Sequence, residues 1–356
     1  MVCIFHQNMQ EFGGKRIPKN TALQSQFTAI NGDLNAAVGA SPLAGLGPIA
    51  VAGFTEVKNN RSAAGALSGH GSAFNLCGNL GTNFLACIKC GCTALTDDEF
   101  VGIGIRPGYN ILSAGRVFLH NDARTLIHDI TPTLVLPNWA KWCNGEYIPP
   151  RSSKPLFDEA AADYRMVVYV IVQLPPNPPF AVGFLHNMYN LARQSKENKL
   201  VYLRRLPEIF NKIRENRQLT IISRIYIGGD FNISPFQRRD RTGTICYPFW
   251  RYLSDQPLPP AVPVLLNGVA PPGMRSGGTT KFGNPHLLDY WYSTLGNGME
   301  IYRLRGYPGY PEIPFPYPAG RPGGIVPPLP VEPIVDNRTL RFGASDHAAI
   351  LLQIPP

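Results

Sequence analysis

Apolar segments of strand length recur along most of this 356-residue chain, and they constrain its fold more than any other feature. Three follow one another: RMVVYVIVQL (165–174), FAVGFLHN (180–187) and TIISRIYIGGDFN (220–232). Short runs that are rich in β-branched and aromatic residues predict buried strands. Helical spacing of the apolar residues at 191–215 predicts a helix in between, with a kink at Pro207. This order favours a layered α+β or α/β sandwich.

Further elements are predicted outside this central region. They are strands at 2–8, 48–57, 286–293 and 344–354 and a helix-like stretch at 21–38. The pattern is weak from about 58 to 164, where EFVGIGIR (99–106) is the clearest short strand. Ten prolines lie between 307 and 333. They predict an ordered loop or polyproline arm, with neither strand nor helix.

Composition and charge narrow the range of partners. Hydrophobic residues make up 44% of the chain, enough for a substantial core. Lys and Arg outnumber Asp and Glu by 33 to 24, which gives a net charge of +9. This excess favours a polyanionic partner such as nucleic acid or an anionic membrane surface.

The sequence contains no predicted membrane span, because charges, glycines or prolines interrupt every run of about 18 apolar residues. The N-terminal MVCIFHQNMQEFGGK lacks the basic and apolar segments of a secretory signal. We therefore expect a soluble protein that is cytoplasmic or delivered without a classical signal peptide.

The seven cysteines suit reduced thiols better than a disulfide framework, because their number is odd in a long chain. Cys77, Cys87, Cys90 and Cys92 concentrate thiols in one stretch, which leaves a zinc site as an alternative. The spacing lacks the second C-x₂-C pair of a zinc ribbon, so packed free thiols are the default expectation.

Several predicted strands end in side chains of one chemical kind. These carboxylates, amides and imidazoles are Asn8, Glu56, His186, Asp230, Asn232, Asp289, Asp346 and His347. They meet only if the strand ends converge on one edge of a sheet sandwich, where they could form a phosphodiester site. Gly228 and Gly229, just before Asp230, are expected to leave room for a substrate backbone.

Each of these signals also has an ordinary structural explanation. Gly-Asp-Phe-Asn at 229–232 is typical of an Asx-rich turn after a strand. Glu56 can be a solvated strand end, His186 a satisfied core histidine, and Asp289 the cap of a turn. The functional interpretation depends on all of them converging.

The segments FTEV, GFLHN, GGDFN, LLDYWYS and ASDHAAILL, in that order, resemble the successive motifs of the endonuclease/exonuclease/phosphatase superfamily, the deoxyribonuclease I-like fold. The resemblance covers the chain from Asn8 to its C-terminal end. It implies a single catalytic domain over 1–356, built as a four-layered α/β/β/α sandwich with two packed mixed β-sheets. The stretch at about 58–164 and the Pro-rich arm at about 307–333 are then insertions.

The resemblance also implies a divalent metal at one rim of the sandwich. Glu56 would be the principal ligand of Mg²⁺, a hard cation that prefers oxygen ligands, and Mn²⁺ is an alternative. Asn8 would support the ion through its amide oxygen. Asp346 would contribute a further carboxylate.

Catalytic roles follow from the same resemblance. Asp230 would orient or deprotonate the attacking water, Asn232 would hold a phosphate oxygen, and His347, held by Asp289, would bind or protonate the scissile phosphate. His186 matches a position where deoxyribonuclease-like, toxin-like and sphingomyelinase-like members carry a second His. Abasic-site endonucleases carry a Tyr there, which argues against abasic-site repair.

Four basic residues are candidates for binding substrate phosphate. Arg165 opens the strand before the one that ends at His186, and its planar guanidinium suits bidentate phosphate contact; a surface salt bridge is the alternative. Lys58 follows Glu56 by two residues. Arg238 and Arg239 follow Asn232 in FQRRDRTG and are placed to hold a phosphate backbone.

Three functions remain open at this point. The first is a Mg²⁺-dependent phosphodiesterase acting on DNA or RNA, most simply a nuclease, in which a metal-assisted water attacks phosphorus. The second is a phosphoesterase for a lipid or inositol phosphate, because one fold serves many substrates. The third is a catalytically silent module that binds nucleic acid. The oligomeric state is left open.

Overall fold

The structure is a computed structural model of the chain. It describes residues 1–12, 17–39, 43–58, 69–92, 98–119, 126–131, 138–145, 166–187, 205–216, 222–232, 267–269, 289–294, 300–304, 315–316, 347 and 349–355.

The described elements alternate strands with a few helices. In chain order they are β1 (Val2–Phe12), α1 (Ile17–Leu34), β2 (Ile49–Lys58), α2 (Gly69–Asn79), β3 (Asn83–Cys92), β4 (Asp98–Ile105), β5 (Asn110–Leu119), β6 (Leu126–Ile130), α3 (Asn138–Cys143), β7 (Val167–Gln173), β8 (Phe180–His186), α4 (Leu206–Arg214), β9 (Arg224–Asp230), β10 (Asn267–Val269), β11 (Asp289–Ser293), β12 (Glu300–Leu304), β13 (Phe315–Pro316) and β14 (Ala349–Ile354).

The strands form two sheets of seven strands each. The first has the order β13-β12-β14-β1-β2-β4-β3 and the second the order β10-β11-β9-β8-β7-β5-β6. Both sheets are mixed, because β1 and β2 are parallel in the first and β8 and β9 in the second, whereas the other pairs are antiparallel. Parallel neighbours end at the same edge of a sheet, so the residues after them are brought close together.

One apolar cluster lies between the two sheets. Its members include Ile4 and Val51 from the first sheet and Val170, Phe184 and Trp291 from the second. Side chains alternate between the two faces of a strand, so Ile4 of β1 points into this cluster while Phe5 points to the opposite face.

Helices cover the outer faces. Phe27 of α1 and Leu76 of α2 are buried against Phe5 and Phe54 on the outside of the first sheet. On the second sheet, α4 packs against β5 and β9. The layers are therefore helix, sheet, sheet and helix, and the predicted α/β/β/α sandwich with two mixed sheets is confirmed.

The structure differs from the sequence prediction at 58–164. That stretch, expected to be an insertion, supplies β3 and β4 to the first sheet and β5 and β6 to the second. Its pattern is weak because glycines replace apolar side chains where neighbours crowd the strand; a Cβ at Gly104 would lie 2.4 Å from the Thr82 hydroxyl.

Three element boundaries also differ from prediction. The first helix spans Ile17–Leu34, where 21–38 was expected. Pro207 does not kink a helix but lies in the first turn of α4, where its missing N–H costs nothing; residues 191–204 lie outside the described residues. Within the Pro-rich arm, where no strand was expected, Phe315–Pro316 pairs with β12.

The described cysteine side chains pack as free thiols. Cys3, Cys77, Cys87, Cys90 and Cys143 are buried and unbridged, and burial raises the pKa of Cys77 to about 12. Among the described residues, no helix is long and apolar enough to cross a membrane.

Candidate active site

The predicted strand-end residues of the second sheet meet at one rim of the sandwich. His186 ends β8, Asp230 ends β9, and Asp289 begins the antiparallel strand β11. The strand register places Asp230 directly opposite His186 on one side and opposite Asp289 on the other. All three side chains are buried.

The first sheet contributes Asn8 and Glu56 to the same rim. The Asn8 amide nitrogen donates to Glu56 Oε1 at 3.1 Å and to Asp230 Oδ2 at 2.9 Å, so it joins the two sheets. A metal contact through the Asn8 amide oxygen stays a prediction; in the structure the amide nitrogen faces the two carboxylates. Two carboxylates close together repel each other, and an amide NH₂ between them offsets the repulsion.

His186 lies between two carboxylates. Its Nε2 is 3.0 Å from Glu56 Oε1 and 3.7 Å from Asp230 Oδ2, and its Nδ1 donates a short hydrogen bond to Glu99 Oε1. Glu99 is buried near the start of β4. The result is a Glu99–His186–Glu56 chain in which each ring nitrogen of the imidazole contacts a carboxylate.

Sequence reasoning missed Glu99. It is a polar residue at one end of the predicted strand EFVGIGIR, the same signal that selected the other strand-end residues. It was passed over because that strand lies in the stretch expected to be an insertion.

A second imidazole approaches Asp230 from the other side. His347, just before β14, has its Nε2 3.6 Å from Asp230 Oδ2. Its Nδ1 is hydrogen-bonded to Asp289 Oδ2 at 2.7 Å, the pairing that the sequence predicted. Asn8 and His186 link Glu56 to Asp230 Oδ2. His347 approaches the same Asp230 oxygen from the other side.

Asn232 lies beside this group. Its backbone N–H donates to Asp230 Oδ1 at 2.8 Å, an Asx-type contact that also satisfies the turn interpretation. Its amide donates to the Asn187 carbonyl at 2.6 Å, and Asn187 in turn donates to the Phe231 carbonyl at 3.0 Å. These bonds hold the end of β9 against the end of β8.

Two site residues have left-handed backbone conformations. Glu56 has φ 57° and Asn232 has φ 52°, and both are non-glycine residues. Glu56 lies where the pairing of β2 with β4 shifts register between Phe54 and Val57. Such conformations cost about 1–3 kcal/mol and persist where surrounding structure enforces them, often at functional sites.

The two glycines before Asp230 do not make room for substrate, contrary to the prediction. A Cβ at Gly228 would lie 2.3 Å from the Trp291 indole, and a Cβ at Gly229 would lie 1.9 Å from the Leu185 carbonyl oxygen. Gly229 also has φ 146°, which side chains rarely adopt. Both glycines are required by internal packing between neighbouring strands.

Burial and charge shift the protonation of the central residues. Burial raises the pKa of Glu56, but His186 and Asn8 outweigh it and hold that pKa well below its usual range. Burial lowers the pKa of His186, whereas Glu99 and Glu56 raise it to well above 6.5. Both shifts favour the ion pair between the His186 imidazolium and the Glu56 carboxylate.

The pKa values of Asp230 and the nearby His6 shift in opposite directions. Burial raises the pKa of Asp230 to about 6, with His347 opposing the rise and Asp289 adding to it. Burial lowers the pKa of His6 to about 4, against the pull of Asp289. The His6 ring is therefore neutral at neutral pH.

The remaining predicted residues lie at or outside the edge of what the structure describes. Lys58 is partly exposed at the end of β2, opposite Glu99 in the register. Asp346, Arg165, Arg238 and Arg239 lie outside the described residues.

The donor chemistry of the rim fits a divalent cation. Two groups have one ligand atom per residue within 4.8 Å of one another: Glu56 with His186 and Asp230, and Asp230 with Asp289 and His347. Three carboxylates supply oxygen atoms to these groups and two imidazoles complete them, and hard cations such as Mg²⁺ take oxygen ligands. The identity of the metal does not follow from these groups alone.

No protein-family model matches the sequence, and no curated protein matches it significantly. Solved structures are similar in fold. The crystal structure of ANGEL2, a 2′,3′-cyclic phosphatase, in complex with adenosine-2′,3′-vanadate is 13% identical, covers 99% of this chain and 96% of its own, and has a TM-score of 0.50.

Two further structures match over similar lengths. The human Nocturnin catalytic domain with bound sulfate anion is 10% identical, with 99% and 92% of the chains covered and a TM-score of 0.49. The endonuclease/exonuclease/phosphatase from Bacteroides vulgatus is 11% identical, with 99% and 97% covered and a TM-score of 0.48. The ANGEL2 match carries the comparison and supports a shared fold, in agreement with the expected superfamily fold.

Proposed function

We propose that the protein is a Mg²⁺-dependent phosphodiesterase whose substrate is nucleic acid. One observation carries the proposal: Asn8, Glu56, Asp230 and His347 come from four distant segments and meet within hydrogen-bonding or ion-pair distance. Convergence of carboxylate, amide and imidazole groups on one rim is the arrangement that phosphoester hydrolysis needs.

Glu56 would hold the metal ion, with Asp346 as a further proposed ligand. Asn8 would join them by turning its amide, because its nitrogen now faces Glu56 and Asp230. When bound, the ion would neutralise charge that develops on the phosphoryl oxygens. His186 holds Glu56 in place at 3.0 Å, and Glu99 holds His186 from behind. Glu99 is therefore a positioning residue for this side of the site.

Asp230 is the proposed general base. A carboxylate with a pKa of about 6 is mostly ionised at neutral pH yet accepts a proton more readily than an ordinary Asp. Asp230 would take a proton from the water as the water oxygen bonds to phosphorus. Its own orientation is fixed by the N–H of Asn232 and the amide of Asn8.

His347 is the proposed phosphate contact on the leaving-group side. Asp289 holds its Nδ1–H at 2.7 Å, so Nε2 faces the rim. As an imidazolium, His347 would donate from Nε2 to the leaving oxygen while the ester P–O bond breaks. Asn232 would hold a phosphate oxygen, which requires its amide to exchange or share the hydrogen bond to Asn187.

The choice of nucleic acid as substrate is supported by charge. The net charge of +9 favours a polyanion, and Arg165, Lys58, Arg238 and Arg239 are the proposed phosphate-binding residues. ANGEL2, which is similar in fold, is a 2′,3′-cyclic phosphatase. A cyclic 2′,3′-phosphodiester therefore belongs among the substrates tested.

The test is a substrate panel with a matched pair of variants. Wild type, Asp230→Ala and Glu208→Gln, a change on helix α4, which supplies none of the site residues, are incubated with supercoiled DNA, RNA, adenosine 2′,3′-cyclic phosphate, and lipid and inositol phosphates, with Mg²⁺ or EDTA. We expect cleavage of nucleic acid by wild type and Glu208→Gln only with Mg²⁺, and its loss in Asp230→Ala.

The other outcomes reject the proposal in distinct ways. Turnover of lipid or inositol phosphates alone would assign the small-substrate alternative. Binding of nucleic acid without any turnover would assign the silent module. Cleavage that persists in Asp230→Ala would remove Asp230 from its role.

A further inference from the structure

A second buried histidine faces Asp289 from inside the sandwich. His6 lies on β1, two residues before Asn8, and is fully buried. Its Nδ1 is 3.9 Å from Asp289 Oδ1, whereas the other Asp289 oxygen binds His347. Asp289 therefore lies between two imidazoles, of which the proposed function uses one.

The His6 ring is held by its surroundings. It stacks on Phe184 of the second sheet with ring centroids 6.2 Å apart and planes at 22°. The strand register places His6 opposite Gly53, and a Cβ at Gly53 would lie 2.2 Å from the Phe184 ring. Phe184 thus fills the space over Gly53 and leaves the His6 ring little room to move.

The second ring nitrogen contacts a hydroxyl group. His6 Nε2 is 3.2 Å from the hydroxyl of Thr55, which is also buried. A hydroxyl can donate or accept, so the carboxylate beside Nδ1 decides the tautomer: the proton of the neutral ring is on Nδ1, toward Asp289 Oδ1, and the Thr55 hydroxyl donates to Nε2. Nδ1 makes no hydrogen bond to any described residue.

A polar N–H buried in this way destabilises the fold unless a nearby charge offsets the loss of its hydrogen bond to water. At 3.9 Å the contact with Asp289 is too long for a direct hydrogen bond and is electrostatic. In a site shielded from water such an interaction between a dipole and a carboxylate is strengthened. A stacked Phe or Leu would fill the same volume without this cost, so packing alone does not explain a histidine here.

We propose that His6 is a positioning residue that acts through Asp289: its Nδ1–H stabilises and orients the Asp289 carboxylate so that Oδ2 fixes the ring of His347. The chain of contacts runs Thr55, His6, Asp289, His347 and then the rim. The catalytic consequence rests on the proposed function, but the geometric claim about His347 does not.

Two isosteric substitutions separate the two edges of the His6 ring. The amide nitrogen of Asn in His6→Asn can replace Nδ1 toward Asp289, whereas Gln in His6→Gln can replace Nε2 toward Thr55. His6→Phe fills the volume and removes both contacts. We expect His6→Phe and His6→Gln to lower kcat about tenfold with KM unchanged, and His6→Asn to stay within about threefold of wild type.

A double-mutant cycle tests the route through Asp289. In the Asp289→Asn background, His6→Phe should lower kcat by less than about twofold, because the carboxylate on which it acts is gone. An undiminished loss in that background would overturn the proposal. Equal losses of kcat in His6→Asn and His6→Gln would also overturn the proposal. That comparison decides the test if His6→Phe fails to fold.

An NMR measurement that does not depend on catalysis distinguishes the failure of this proposal from the failure of the proposed function. In ¹⁵N-labelled metal-free protein, the Nδ1–H proton of His347 should give a slowly exchanging, downfield resonance in wild type and His6→Asn. It should exchange faster in His6→Phe. If wild type hydrolyses nothing, the proposed function fails, while this resonance still supports or overturns the role of His6. An unchanged resonance in His6→Phe would overturn it.

Discussion

At the scale of the residue, the site contains backbone strain at Glu56. Glu56 is left-handed at φ 57° and holds Asn8 and His186 through one oxygen, Oε1. A side chain in this region costs about 1–2 kcal/mol, which Gly avoids. We infer that the strained backbone is retained because it aims the carboxylate into the rim.

Comparing Glu56→Gly with Glu56→Ala isolates that strain, since both variants lack the carboxylate. We expect Glu56→Gly to be more stable than Glu56→Ala by about 1 kcal/mol in urea unfolding, because Gly adopts a positive φ without a Cβ penalty. Lys212, inside helix α4, supplies the control. There the order should reverse, with Gly less stable than Ala by up to about 1 kcal/mol. A Glu56→Gly variant less stable than Glu56→Ala would contradict the strain.

At the scale of the element, the strand ends could be predicted and their packing could not. Polar residues at either end of apolar runs identified Asp230, Asp289 and His347, because alternation and strand boundaries are local properties of a sequence. The role of Gly228 could not be predicted from the sequence, because only the register of β9 and β11 brings Trp291 opposite it.

Two polar residues were missed for a related reason. His6 lies within its strand, where nothing local distinguishes it from a packing residue, and Glu99 lies near the start of a strand in the stretch that was expected to be an insertion. Their partners, Asp289 and His186, are 283 and 87 positions away in the sequence. Only the assembled sandwich shows the contacts.

The packing of β9 on β11 gives a prediction about Gly228. We expect Gly228→Ala to lower the free energy of unfolding by about 1–3 kcal/mol, because its Cβ would lie 2.3 Å from the Trp291 indole. Adding Trp291→Leu should restore part of that loss. Gly78 in helix α2 has nothing within 4 Å of a built Cβ, so Gly78→Ala should stabilise by about 0.5–1 kcal/mol. Equal effects at both glycines would refute the packing role.

At the scale of the whole molecule, two sheets with one apolar cluster between them bring four segments of the chain to one rim. We propose that the full chain, 1–356, forms this one domain. The acidic groups at the rim repel one another and are balanced by His186, Asn8 and, in our proposal, a divalent cation. The central claim is therefore that the rim binds a metal ion through Glu56.

Isothermal titration of the metal-free protein with Mg²⁺, and separately with Mn²⁺, tests that claim most directly. Wild type should bind the ion at the rim, Glu56→Gln should bind it roughly tenfold or more weakly, and Glu208→Gln, on helix α4, which supplies none of the site residues, should bind as wild type does. Equal affinity in Glu56→Gln and wild type, or no binding by wild type, would contradict the account.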